Sequence, residues 1–149
     1  MFHVGIIVPR LEDALQRFNE TLGVIWGPII EGEAPFLDGE GSTRTIRLRY
    51  SYSCEAPHLE LIEEVPDTPW VCNPISNLHH IGFFADDVDS QSDELTGVGC
   101  PFEFGSRSAG SGPMMFAYHR DDLAVRFEFV SETRRSDIDE VYTRPPGSD

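Results

Sequence analysis

HHIGFFA, residues His79 to Ala85, echoes the FHVGIIV of Phe2 to Val8 near the start of the chain. Each stretch is an apolar strand that carries a histidine two residues before a glycine. One such histidine is ordinarily a hydrogen-bonded core residue. Two at matching positions, His3 with Gly5 and His80 with Gly82, point to an internal repeat, which constrains the whole architecture. A second echo follows: HLELIEE, His58 to Glu64, is matched by RFEFVSE, Arg126 to Glu132, and the match pairs Glu60 with Glu128.

Working outward from these stretches, Phe2 to Val8 is predicted as a strand that Pro9 stops, since proline cannot donate to a sheet ladder. In RLEDALQRFNETLG the apolar Leu11, Ala14, Leu15, Phe18 and Leu22 recur at three- and four-residue steps, with Gly23 as the stop, so a helix follows. Val24 to Ile30 is expected as an irregular strand and 31–42, rich in glycine, as loop. Thr43 to Ser51 alternates as a half-buried strand should, and His58 to Glu64 is its hairpin partner. The proline-bearing segment 65–77 is a linker. The second unit then runs through a strand Leu78 to Ala85, a weaker helix from Asp87 to Leu95, a short strand Cys100 to Phe104, a Gly/Ser loop, a strand Met114 to His119 and a last strand Leu123 to Val130.

The expected fold is therefore α+β. Two tandem βαβββ units, about 1–64 and 78–132, form a cupped mixed sheet with the helices on its convex face. Residues 1–132 make a single domain, and 133–149 a charged tail, a short helix at best before disorder.

Of 149 residues, 11 are basic and 26 acidic, a net charge of -15. Such a surface repels phosphate backbones and anionic lipid, so nucleic acid and membrane are expected to be absent as partners. No apolar run reaches the length of a membrane span, and the N-terminus is strand-like, so the expected location is the cytoplasm. Cys54, Cys72 and Cys100 fall in no metal spacing, and unpaired thiols suit a reducing compartment.

Residues two apart on a strand share a face. In HLELIEE, Leu59 and Leu61 oppose His58, Glu60 and Ile62; in VRFEFVSE, Phe127 and Phe129 oppose Arg126, Glu128 and Val130. With the apolar faces packed on the helices, both glutamates lie on the concave face. A carboxylate there must be solvated, paired or bound to metal. His3 and His80 come from the equivalent first strands, so each unit supplies one imidazole and one carboxylate. Such a mixed nitrogen and oxygen set suits Zn, Ni, Co, Mn or Fe(II). His79 is a rival to His80, but only His80 keeps the H-x-G register of the first strand.

In FHVGIIVPRLEDALQRFNETLGV, HLELIEE, LHHIGFFADDVD and RFEFVSE the chain resembles the vicinal oxygen chelate superfamily, which includes glyoxalase I, methylmalonyl-CoA epimerase, extradiol dioxygenases and bleomycin-type resistance proteins. The resemblance covers about residues 2 to 132. It implies a divalent metal cation held by His3, Glu60, His80 and Glu128, one residue from each of four strands. The order His, Glu, His, Glu is most similar to the bacterial type of glyoxalase I; the epimerases usually show glutamine where Glu60 stands.

The resemblance implies a metal-dependent isomerase, epimerase or lyase that chelates vicinal oxygens of a small carbonyl substrate and stabilises an enolate-like intermediate. Glu128, then Glu60, are the implied catalytic bases. Two alternatives stay open: a metal-free binding or resistance protein, and an Fe(II)-dependent oxygenase. Arg47 and Arg49, on the polar face of their strand, are expected to line the cup and to meet an anionic group, with His58, His119 and Arg126 as further wall residues. The loop GSRSAGSGPMM is expected to act as a lid. The family is often dimeric, so a homodimer is expected, with the site either within one chain or shared.

Overall fold

The computed structural model describes residues 1–109 and 111–145. The first unit contains β1 (His3–Val8), α1 (Leu11–Leu22), β2 (Ile30–Asp38), β3 (Thr43–Tyr52) and β4 (His58–Glu63). The second contains β5 (Leu78–Ala85), α2 (Val88–Gly97), β6 (Phe102–Arg107), β7 (Met114–Arg120) and β8 (Arg126–Ser131). The eight strands close in the order β1-β4-β3-β2-β6-β7-β8-β5, so the cup is a barrel rather than an open sheet. Within each unit the first strand runs parallel to the last, β1 beside β4 and β5 beside β8. The units join twice, antiparallel, at β1 to β5 and at β2 to β6.

Helix α1 lies on β1 and β4, and α2 lies on β7, β8 and β6. The α1 residues Leu11, Leu15 and Phe18 pack with Ile6, Val8, Leu59 and Leu61. Full burial of a side chain such as Leu11 or Leu61 stabilises the fold by about 1.5–3 kcal/mol. At the N-terminus of α2, the Asp87 carboxylate accepts from the Ser90 amide, and Val88 meets Ala85, Met114, Ala117 and Phe129. A separate aromatic core inside the barrel gathers Phe36, Trp70, Phe104 and Tyr118 with Ile7, Ile46 and Ile62.

Four elements depart from expectation, the last strand among them: it begins at Arg126, after a turn at Asp122 and Leu123, not at Leu123. The second strand is Ile30–Asp38, not Val24 to Ile30; between Gly23 and Ile30 only Trp26 bridges to Ser53. Its glycines and proline suggest loop, yet it pairs with β3 from Ile30↔Tyr50 to Leu37↔Thr43, and the Asp38 carboxylate accepts from the Glu40 and Ser42 amides to close the turn. Pro35 is tolerated because β2 meets β6 only beyond it, at Leu37 and Asp38. The strand expected over Cys100 to Phe104 is shifted to Phe102–Arg107. The tail is ordered after β8: a 3₁₀ turn Glu132–Arg134, an α turn Arg135–Asp137 and a π turn Ile138–Tyr142 form a strap across the barrel mouth. Ile138, only 2% exposed, anchors that strap. Residues 146–149 of the expected tail lie outside the described residues.

Candidate metal centre

The antiparallel register of β1 on β5 sets His3 opposite Gly82 and Gly5 opposite His80. Parallel pairing then sets Glu60 beside Gly5 and Glu128 beside Gly82. Across four strands this gives two rows, Glu60–Gly5–His80 and His3–Gly82–Glu128, so each glutamate looks over its own unit's glycine toward the other unit's histidine. The glycines have a steric reason. A Cβ on Gly5 would stand 2.0 Å from the His80 ring, and one on Gly82 2.0 Å from the His3 ring.

The four side chains are buried, and one ligand atom from each lies within 4.8 Å of every other. His3 Nε2 is 2.7 Å from His80 Nε2, 3.3 Å from Glu60 Oε2 and 3.0 Å from Glu128 Oε2. His80 Nε2 is 3.3 Å from each carboxylate oxygen. Two imidazole nitrogens and two carboxylate oxygens thus converge on one point, all from a single chain.

His79 determines which nitrogen His80 presents. His79 Nε2 is 2.9 Å from the Pro69 carbonyl, which can only accept, so Nε2 carries the proton and Nδ1 is left to accept. His80 Nδ1, 2.9 Å away, therefore donates to it, so that when His80 gives up its second proton it is Nε2 that turns a lone pair toward the centre. Such outer contacts fix the tautomer and orientation of a metal-binding imidazole. Burial, with the His80 charge next, holds His79 down at about 2, which keeps it neutral in this relay.

Burial works against charge on all four central groups, and mutual attraction overrides it. Burial alone would lower His3, but the Glu60 charge leads the effects that push it up to about 9. His80 is likewise raised: burial would lower it, but the attractions led by the Glu128 charge together outweigh burial. Glu60 and Glu128 are held below the usual carboxylate range despite burial, chiefly by His3 and His80 respectively. Glu60 Oε2 and Glu128 Oε2 nonetheless have no hydrogen-bond donor, although both are buried. Two orphaned oxygens aimed at two imidazoles are what a divalent cation would satisfy, so the residues present fit one.

Glu60 and Glu128 open onto a cavity of about 340 Å³. Its walls are aromatic, with Tyr50 and Tyr52 from β3, Tyr118 from β7, and Trp70, whose Nε1 donates to the Tyr118 hydroxyl at 3.1 Å. Burial, then Glu60 for Tyr52 and Glu128 for Tyr118, pushes both phenols well above their ordinary value, so they stay protonated beside the carboxylates. The strap adds Arg134, Ile138 and Tyr142. Of these the sequence points only to Trp70 as a neighbour of the pocket, with core packing favoured for it; the tyrosines and the strap residues it does not assign to the wall. The signal lay in the alternation of β3, which puts Leu48, Tyr50 and Tyr52 on one face.

That same alternation corrects the reading of the arginines. Arg47 and Arg49 lie on the outer face of β3, because helix α1 covers β1 and β4 but leaves β3 bare, and the apolar residues of β3 point into the barrel. Arg47 is paired with Glu31, and Arg49 with Glu12, Glu31 and Glu63. His58 is held at the strand start, its Nδ1 donating to the Ser53 carbonyl at 2.7 Å. His119 faces α2, between the Cys100 carbonyl and the Ser92 hydroxyl, each at 2.8 Å. Arg126 is clasped by both oxygens of Glu103, at 2.6 and 2.7 Å. None of the five lines the cavity. Of the loop expected to act as a lid, Ser106, Arg107 and Met115 line the cavity, and Gly110 lies outside the described residues.

The family model described as Glyoxalase/Bleomycin resistance protein/Dioxygenase superfamily matches residues 2–118. Among solved structures, a methylmalonyl-CoA epimerase in complex with methylmalonyl-CoA and NH4+ is similar at a TM-score of 0.59 and 19% identity, over 87% of this chain and 91% of that one. A variant of Streptomyces coelicolor methylmalonyl-CoA epimerase with 2-nitronate-propionyl-CoA has the same score and identity, over 87% and 94%. Methylmalonyl-CoA epimerase from Mycobacterium tuberculosis is similar at 0.55 and 17% identity, over 87% and 85%. At such identities the likeness shows the fold. No curated protein matches the chain.

Proposed function

The chain belongs to the glyoxalase/bleomycin resistance protein/dioxygenase superfamily, and from that membership we propose that it is a metal-dependent isomerase or epimerase acting at the carbon beside a carbonyl of a small substrate. The observation that carries the reading is the convergence of His3, Glu60, His80 and Glu128 with two buried carboxylate oxygens left without donors. The epimerases among the solved structures of like fold support the reaction class.

His3, Glu60, His80 and Glu128 would hold a divalent cation, which when bound supplies Lewis-acid stabilisation of negative charge developing on a substrate oxygen. Glu128 is the proposed base, with Glu60 second. Both line the cavity and both are held as carboxylates, so either can take a proton from a substrate carbon above it. Tyr52 and Tyr118 remain protonated and present hydroxyls beside them. The aromatic walls and the strap replace part of the surrounding water with less polar groups, which strengthens each of these polar interactions. We further propose a cytoplasmic homodimer; among the described residues no helix is long and apolar enough to cross a membrane.

One observation favours a second reading, a metal-free binding protein. Two raised imidazoles facing two lowered carboxylates can neutralise each other with protons alone. Metal analysis of protein purified without chelator separates the two. The proposed function expects about one equivalent of Ni, Co, Zn, Mn or Fe per chain, bound as purified or after titration. Uptake below about a tenth of an equivalent after titration leaves only the binding protein.

A further inference from the structure

We propose that Arg134, with Tyr50 and Tyr142, forms an anion subsite in the wall of the same cavity, and that the substrate is a short oxo acid carrying a second carboxylate away from its reacting oxygens. The inference rests on the proposed function for the position of those reacting oxygens. Its own support comes from the strap, which lies beyond the residues that the family model matches.

The strap is seated tightly. Ile138 is buried, the Thr143 hydroxyl donates to the Ile138 carbonyl at 3.0 Å, and a Cβ on Gly27 would stand 1.7 Å from the Tyr142 carbonyl oxygen. Arg134 is held on that seat. Its Nη2 donates to the Tyr142 hydroxyl at 3.0 Å, and its guanidinium carbon lies 5.8 Å from the centre of the Tyr142 ring. The Tyr50 ring stands edge-on to Tyr142 at 6.3 Å and completes the corner.

Charge accounting then selects Arg134. Two carboxylates, Glu60 and Glu128, would balance a divalent cation at the floor. At the rim, Arg107 is taken by Asp89 at 2.8 Å, and Glu31 by Arg47 and Arg49. Glu33 also lines the mouth. The only ion pair of Arg134 among the described residues is a loose one of 3.5 Å to Asp137, an exposed side chain one turn further along the strap. Its own side chain is 31% exposed. A guanidinium fixed at a cavity wall with so weak a partner is a ready site for a carboxylate, which it can bind with two parallel hydrogen bonds.

Register supplies the spacing. Tyr52 is level with Glu60 and Tyr50 with Ile62. The Arg134 guanidinium interacts with the Tyr50 hydroxyl, two strand residues from Tyr52, which displaces the subsite from the carboxylate floor by about 7 Å. A short chain with a 2-oxo acid head and a distal carboxylate spans that distance, and the cavity lies at the small end of ligand sites, which run from about 300 to 1,000 Å³.

The test is calorimetric titration of the full chain with 2-oxoglutarate and with 2-oxopentanoate, which share a head and differ in the distal carboxylate. The unsubstituted protein should bind 2-oxoglutarate about tenfold or more tighter. In Arg134→Gln the ratio should collapse toward one while 2-oxopentanoate binds as before, which also shows the variant to be folded; Arg134→Lys should keep part of the preference. Equal affinity in the unsubstituted protein, a preference that survives Arg134→Gln, or binding of neither acid overturns the subsite. Ni uptake on the same samples reads the metal centre separately. A chain that takes up Ni but shows no preference refutes the subsite alone. One that takes up none, yet prefers 2-oxoglutarate through Arg134, refutes the metal reading alone.

Discussion

Gly5 and Gly82 lack a side chain because an imidazole from the other unit occupies the space. Adding a methyl group there pushes a ring, rather than merely filling a gap, since the nearest atoms belong to His80 and His3 at 2.0 Å. Gly5→Ala is therefore expected to lower metal affinity by about tenfold or more, as loss of an orienting contact does, with a stability cost of about 1–3 kcal/mol for overpacking. Gly82→Ala should act alike through His3. Metal titration beside urea unfolding checks this, and a Gly5→Ala protein that takes up metal as readily as the unsubstituted chain removes the steric account. The H-x-G echo was visible in the sequence, and strand parity put Glu60 and Glu128 on the concave face. What the glycine makes room for was not visible, because it depends on the pairing of β1 with β5. For the same reason His79 looked like a rival ligand; only its contact with the Pro69 carbonyl makes it the group that orients His80.

At the scale of elements, alternation shows which residues share a face but not where that face points. For β4 and β8 the helices settle the direction, and for β3 no helix does, which is why Arg47 and Arg49 lie outside. The strap was illegible for another reason: its charged residues hide a single apolar anchor. Ile138→Ala should cost about 2–5 kcal/mol if that anchor is as well packed as its burial indicates. Denaturant unfolding measures it, and a cost within about 0.5 kcal/mol, usual for surface positions, would detach the strap from the fold. The joint between α2 and β7 responds to pH. Burial lowers His119 below its ordinary value, and its neutral form donates from Nδ1 to the Cys100 carbonyl while Nε2 accepts from Ser92. The unfolded chain takes the proton first, so the stability from this group is present above an unfolded pKa of about 6.5 and is lost as pH falls below it. Unfolding at pH about 7.5 and about 5.5 should show a smaller acid loss in His119→Gln than in the unsubstituted protein. Equal losses would mean that His119 titrates alike in both states.

On the scale of the molecule, the repeat becomes a barrel with two unequal seams. The seam of β1 and β5 holds both histidines and is continuous from His3↔Gly82 to Gly5↔His80, resuming at Ile6↔Leu78 after a bulge. The seam of β2 and β6 has only Leu37↔Gly105 and Asp38↔Phe104, and further along a side chain substitutes for the ladder, the Ser106 hydroxyl donating to the Pro35 carbonyl at 3.0 Å. The repeat predicts a paired architecture, but not closure, because closure rests on this short contact between two strands that the sequence shows poorly. Local opening follows the weakest hydrogen-bonded boundary. The amides that pair β2 with β6, at Leu37 and Gly105, should thus exchange with deuterium about tenfold or more faster than those pairing β1 with β5. Such opening parts the barrel wall opposite the histidines and widens the cavity without disturbing the metal centre, so metal loading should slow exchange at the β1/β5 seam and leave the β2/β6 seam nearly unchanged. Equal protection at the two seams would show that the barrel opens only by global unfolding.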